Sequence, residues 1–183
     1  MEDLSSLKRK VKQYKEVLNN TKEYRQNWTN ELRQRITDTL TQMASESGLE
    51  AEIVLKENIK NLEAVVLDLG RSKSGISEKV SDEVHRPLIK HNGSLVYQQL
   101  FNGKIIVLIT YPMIEGYGEP RPPKTIAIYR PEELKPPFFV RHMEDFMKEV
   151  TNWEDFDDDE PSQKIGFKLN FLEGTEGGGT APQ

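Results

Sequence analysis

Residues 94–111, SLVYQQLFNGKIIVLITY, constrain the fold more than any other part of the chain. Asn102-Gly103 is the dipeptide that accepts positive φ at both central positions of a tight type I′ turn, and apolar runs flank it on both sides. With that turn Leu100 faces Ile105, Gln98 faces Val107 and Val96 faces Ile109. The other face then pairs Phe101 with Lys104, Gln99 with Ile106 and Tyr97 with Leu108. Apolar groups fall on both faces, which predicts a central hairpin in an antiparallel sheet covered on both sides.

Helical periodicity brackets this sheet. Leu4, Leu7, Val11, Tyr14 and Leu18 recur in steps of three and four, a coiled-coil-like seam over 4–18. A second stripe, Trp28, Leu32, Ile36, Leu40 and Met43, follows within residues 3–46. Between the two lie Asn19, Asn20 and Thr21, poor helix formers, with Glu23 three residues after Asn20 as in a capping box. The pattern predicts one long N-terminal helix with a kink or a shift of stripe near Asn20, two separate helices being the alternative; Gly48 supplies the stop. Residues 138–153 form a further amphipathic helix, with Phe139, Met143, Phe146, Val150 and Trp153 toward the sheet.

Strands are read at 50–56, 62–69, 84–91, on either side of the hairpin turn, at 125–130 and at 164–171. Pro87 confines the 84–91 strand to an edge or a bulge. The polar segment 70–81 reads as a loop, at most an edge strand, and residues 131–134 as a helical turn. The expected fold is α+β, with a mainly antiparallel sheet of about five to seven strands and a C-terminal helix packed on it. At 183 residues this is one domain with extensions: a helical segment 1–46, a sheet region 47–171 containing helix 138–153, and a Gly-rich tail 172–183 that is disordered by composition.

Composition excludes several function classes. A net charge of −5 and a pI of 5.4 argue against general nucleic-acid binding. Phosphate contact through Lys8, Arg9, Lys10, Lys12 and Lys15 is the weakest of the readings, flanking charge around a seam being the simpler one. With no cysteine there is no disulfide, thiolate metal site or cysteine nucleophile. The N-terminus has no secretory pattern and no run is long enough to span a bilayer, so a cytoplasmic protein without membrane contact is expected. His85, His91 and His142 show no metal-ligand spacing, the acidic stretch 144–160 lacks the Gly and terminal Glu of an EF-hand loop, and neither a P-loop nor a complete dinucleotide fingerprint occurs. No metal and no cofactor are expected, and no catalytic residue can be assigned.

Two candidate sites remain. The seam Leu4, Leu7, Val11, Tyr14 and Leu18 needs a partner surface, because so short an amphipathic helix is marginal alone in water. It points to a non-catalytic assembly protein, adaptor- or chaperone-like, that forms a homo-oligomer (a dimer first) or engages another protein. Alternatively, the loop 112–123 presents Glu115, Tyr117, Glu119 and Arg121 from a rim stiffened by glycines and prolines, an arrangement suited to a small molecule or a peptide, with His85 or His91 as acid or base.

Overall fold

One unbroken helical rod opens the chain: α1 (Ser5–Asn27), a π-helical turn at Trp28–Leu32, and α2 (Arg33–Ser47), closed by Gly48 in the left-handed conformation. The computed structural model describes residues 3–156. Asn20 lies within regular helix, so the irregularity expected there falls two turns later. Its cause is in the stripe. A strict spacing of four overshoots an α-helical turn by about 40° each time. The wider π turn between Trp28 and Leu32 takes back part of that drift. Trp28, Leu32, Ile36, Leu40 and Ala44 are all buried on one face as a result.

Eight antiparallel strands follow, in two sheets. Strands β1 (Glu52–Lys56), β2 (Ala64–Asp68), β5 (Ser94–Gln99), β6 (Ile105–Thr110) and β8 (Lys124–Tyr129) form the main sheet in the order β1-β2-β5-β6-β8. The smaller sheet has the order β3-β4-β7, from β3 (Arg71–Lys79), β4 (His85–His91) and β7 (Met113–Ile114). Three runs of chain turn from one sheet into the other, β2 into β3, β4 into β5 and β6 into β7. The polar segment 70–81 takes the second of its two readings, an edge strand, held by its pairing with β4 rather than by burial. Pro87 is accommodated in the middle strand of that sheet, opposite Ser77, where the register shifts between Lys73 and Ser77. Pro87 lies beside a bulge, and β7 pairs with β4 only at Lys90 and His91, so among the described residues the strand is both bulged and locally open where the N–H is missing, as expected.

The hairpin is present, but its register is one residue away from the expected one. Gln99 lies opposite Ile105, Tyr97 opposite Val107 and Leu95 opposite Ile109. Leu100 N–H donates to the Lys104 carbonyl at 2.8 Å and Gly103 N–H to the Leu100 carbonyl at 2.8 Å. The loop thus has three residues, Phe101, Asn102 and Gly103, and Gly103 alone has positive φ. This is the type I turn with a following left-handed glycine, which the same Asn-Gly pair serves as well as a type I′ turn. The slip exchanges faces along one strand relative to the other. Leu95, Tyr97 and Gln99 now share a face with Ile105, Val107 and Ile109.

That face meets both helical layers. Trp28 through Ala44, together with Phe139, Met143, Phe146 and Val150 of α3 (Pro136–Glu154), pack in one cluster with Val65, Leu67, Leu95, Tyr97, Ile105, Val107 and Ile109. The expectation of a sheet sandwiched between helices is corrected: both lie on the same side. Five strands at about 4.8 Å spacing are roughly as wide as two adjacent helices about 10 Å across, so one face accommodates the pair side by side. The opposite face carries the registered row Val54, Val66, Val96 and Leu108, and among the described residues no helix lies over it. A 3-10 turn at Pro131–Glu133 links β8 to α3. The acidic residues 157–160, the strand read at 164–171 and the Gly-rich tail lie outside the described residues.

The hairpin tip docks on α1 through Gly103. At its φ of 76°, a Cβ would stand 2.7 Å from Tyr24 Cβ and 3.1 Å from the Thr21 carbonyl oxygen. Gly103→Ala is expected to lower the unfolding free energy by about 2 kcal/mol, the left-handed backbone and the displaced helix contributing together. Phe101→Ala, at a side chain 74% exposed, is expected to change it by less than about 0.5 kcal/mol. Urea midpoints at constant slope would separate the two.

Candidate functional site

Positions 4, 7, 11, 14, 18, 21, 25, 28 and 32 recur in alternating steps of three and four and so follow one face of the rod. Their surroundings change abruptly along it. Trp28 and Leu32 are buried under the sheet. Arg25 donates from its guanidinium to the Phe101 carbonyl at 2.5 Å, and Thr21 lies against Gly103. Among the described residues nothing covers Leu4, Leu7, Val11, Tyr14 and Leu18, with exposures between 43% at Val11 and 63% at Tyr14. Every residue from 3 to 19 is exposed, and partial burial begins at Asn20 and Thr21. The sheet ends at its hairpin tip while the helix runs on for about 22 Å past it.

This overhang is helical for a physical reason. Its nucleation cost is met by the covered part of the same helix, so each further turn needs only propagation. The Asp3 carboxylate accepts from Ser5 N–H at 2.9 Å and closes the free end. Lys8, Lys15 and Lys22 line one flank of the apolar row, Lys10 the other, and Lys12 meets only Glu16 at 3.9 Å. The basic residues named from the sequence are thus a charged border around the row. Two small clefts of about 420 and 130 Å³ mark where the helix leaves the body, and Asn20, Tyr24 and Arg130 line both.

The loop 112–123 directs its side chains elsewhere. Glu115 meets His91 Nε2 at 2.6 Å, and its N–H donates to the Ile89 carbonyl at 2.9 Å. Tyr117 turns back on Ile114 through a 3.1 Å backbone hydrogen bond. Arg121 lies over the Tyr111 ring, 4.0 Å from its centroid. The Tyr111 hydroxyl donates to Glu149 on α3 at 3.0 Å, and Lys124 reaches the same carboxylate at 2.5 Å. Burial alone would raise the Glu149 pKa, but the hydrogen bonds from Lys124 and Tyr111, with the charges of Lys124 and Arg121, hold it below the ordinary value. Arg121 thus belongs to a brace between loop and helix, Glu115 to a pair with β4, and Glu119 is exposed. Glu115 and Arg121 thus meet different partners, His91 and Tyr111.

Sequence reasoning missed a buried polar cluster. His142, 0% exposed, stands between two tyrosines, with Nδ1 3.0 Å from the Tyr97 hydroxyl and Nε2 2.9 Å from the Tyr129 hydroxyl. A neutral imidazole has one donor and one acceptor nitrogen, so one hydroxyl donates to the ring and the other accepts from it. Burial pushes the imidazole down to about 4, and it raises both phenols above their usual range. The cluster ties α3 to β5 and β8, with His142 and Tyr97 buried and Tyr129 partly exposed. The signal was present: His142 lies three residues after Phe139 and four before Phe146, on the apolar side of α3.

His85 and His91 remain on β4, far along the fold from this cluster. Among the described residues no group of three or more His, Cys, Asp or Glu is placed to hold a metal ion, and no helix is long and apolar enough to cross a membrane. Comparison with protein-family models, with curated proteins and with solved structures finds no match.

The His142 cluster gives the fold an acid dependence of known sign. The unfolded chain protonates His142 near 6.5 and the folded chain only near 4. Its contribution is therefore complete above 6.5 and is lost as pH falls from there toward 4. Linkage puts up to about 3 kcal/mol on that window. His142→Phe is expected to be about 1–3 kcal/mol less stable at neutral pH, because two buried hydroxyls lose their partner, and to lack this acid component. Carboxylates such as Glu149 also lose contacts in acid, so the readout is the difference in urea midpoint between the two proteins across the window.

Proposed function

We propose that this chain is a non-catalytic interaction or assembly protein, adaptor- or chaperone-like, that dimerises through residues 4–18 of its N-terminal helix. The observation that carries this reading is the continuity of the helical row. The face that buries Trp28 and Leu32 under the sheet continues outward as Leu4, Leu7, Val11, Tyr14 and Leu18, which no other described residue covers. A second helix is the surface that a row in alternating steps of three and four accepts. The use of the 112–123 side chains in contacts within the chain, and the burial of His142, support a binding role over chemistry.

Magnitudes set the strength of the association. Covering the exposed half of each of these side chains contributes roughly 1 kcal/mol. Ten of them across a pair stand against several kcal/mol of lost rotational and translational freedom. The balance, about 6 kcal/mol at most, is an affinity on the order of tens of micromolar or weaker.

Sedimentation velocity across concentrations that bracket this range tests the reading. The wild-type chain is expected to shift from monomer to dimer. A Leu7→Glu, Val11→Glu variant is expected to stay monomeric, with an unchanged urea midpoint because neither side chain touches the body. A wild-type chain that stays monomeric throughout would remove the proposal.

A further inference from the structure

We infer that the two overhanging helices pair antiparallel, with an overlap that stops where each meets the other's hairpin tip; this rests on the self-association proposed above. The geometry of the row decides the direction. From Thr21 onward the row already faces its own chain, with Gly103 against Thr21, the Phe101 carbonyl on Arg25, and the sheet over Trp28. A parallel, in-register pair would turn the rows of both helices toward each other along their whole length. At positions 21, 25 and 28 two hairpins and two sheets would then have to share the gap between helix axes only about 8–10 Å apart. The bodies exclude that arrangement.

An antiparallel pair meets no such conflict. Each helix brings its free end to the other copy's hairpin tip, and the two bodies lie at opposite ends of the overlap. Leu4, Val11 and Leu18 occupy one heptad position and Leu7 and Tyr14 the other. Antiparallel packing sets the first kind against the second. Pairing Leu7 with Leu18 of the second copy, and Val11 with its Tyr14, brings Leu4 up to the hairpin tip of that copy, where Phe101 is exposed. All five seam residues are then covered. The alternative register, Leu7 against Val11 and Leu4 against Tyr14, leaves Leu18 in water.

Charge adds a signature. Antiparallel packing lays the flank bearing Lys8 and Lys15 along the same flank of the second copy. Each such exposed like-charge contact changes an equilibrium constant by at most about fivefold, too little to override the exclusion of one body by the other. It makes the pair tighter as salt rises. A foreign acidic helix lying in the same row would loosen with salt.

The cysteine-free chain allows a direct test by disulfide formation, which requires Cα atoms within about 7 Å. Full-length Leu7→Cys and Leu18→Cys proteins would be oxidised separately and as an equal mixture, with sedimentation of the reduced proteins alongside. A disulfide-linked dimer is expected in the mixture, scarce in either protein alone, and more abundant at higher salt. Crosslinking of Leu7→Cys to itself, or of Leu18→Cys to itself, would show a parallel pair and overturn the inference while leaving self-association intact. Dimers by sedimentation that crosslink in no combination would overturn it as well, placing the interface elsewhere. Monomers throughout would remove both the inference and the reading beneath it, and would leave a foreign helix as the occupant.

Discussion

The burial of a single face of the five-stranded sheet under two adjacent helices governs how the rest of the chain is placed. Once α2 and α3 lie side by side over Leu95, Tyr97, Val107 and Ile109, the 3-10 turn at Pro131–Glu133 limits where α3 can begin. The N-terminal rod has no such limit. It enters the core at Trp28 but begins at Ser5, so more than half of its first helix lies beyond the edge of the sheet. The exposed apolar row follows from a mismatch between strand length and helix length rather than from any irregularity in the helix.

The main elements were legible because each carries a periodic pattern that packing leaves intact. The stripes at Trp28–Leu40 and Phe139–Val150 fall where an amphipathic helix would bury them, and the apolar runs on both sides of Asn102-Gly103 pair as a hairpin. What escaped is what depends on contacts between distant parts. An Asn-Gly pair serves a two-residue or a three-residue loop, and the docking of Gly103 on Thr21 and Tyr24 is satisfied with the second. Apolar residues on both sheet faces looked like a sandwich. The outer row is Val54, Val66, Val96 and Leu108, of which Val66 is buried and the others are partly exposed, mostly β-branched groups that suit a pleated surface. The polar strand β3 has no burial pattern to read, because its partner is what defines it.

The candidate sites divide along the same line. The five seam residues were readable since exposure on an isolated stretch of helix depends on spacing within that stretch. Where the row ceases to be free was also written in the sequence, as the polar Thr21 and Arg25 in the next two heptad positions, but their meaning required the hairpin. For the loop 112–123 the contacts run to His91, 24 residues before Glu115, and through Tyr111 to Glu149 on α3. No local pattern could assign them.

The anchoring of the rod and the association proposed for it involve separate parts of one helix. Trp28, Leu32 and Ile36 hold the rod to the body, and the His142 cluster and the Glu149 brace hold α3 beside it. These contacts fix the direction in which the overhang points. Leu4 to Leu18 contribute nothing to that anchoring, so their chemistry is free to suit a partner. Lys8, Lys10, Lys12 and Lys15 lie around them at little cost because water still surrounds each ammonium. A helix that had to stabilise its own domain along its whole length could not carry such a border. The rigid anchor at Thr21 and Arg25 is what turns a short, weakly apolar segment into a surface of defined orientation.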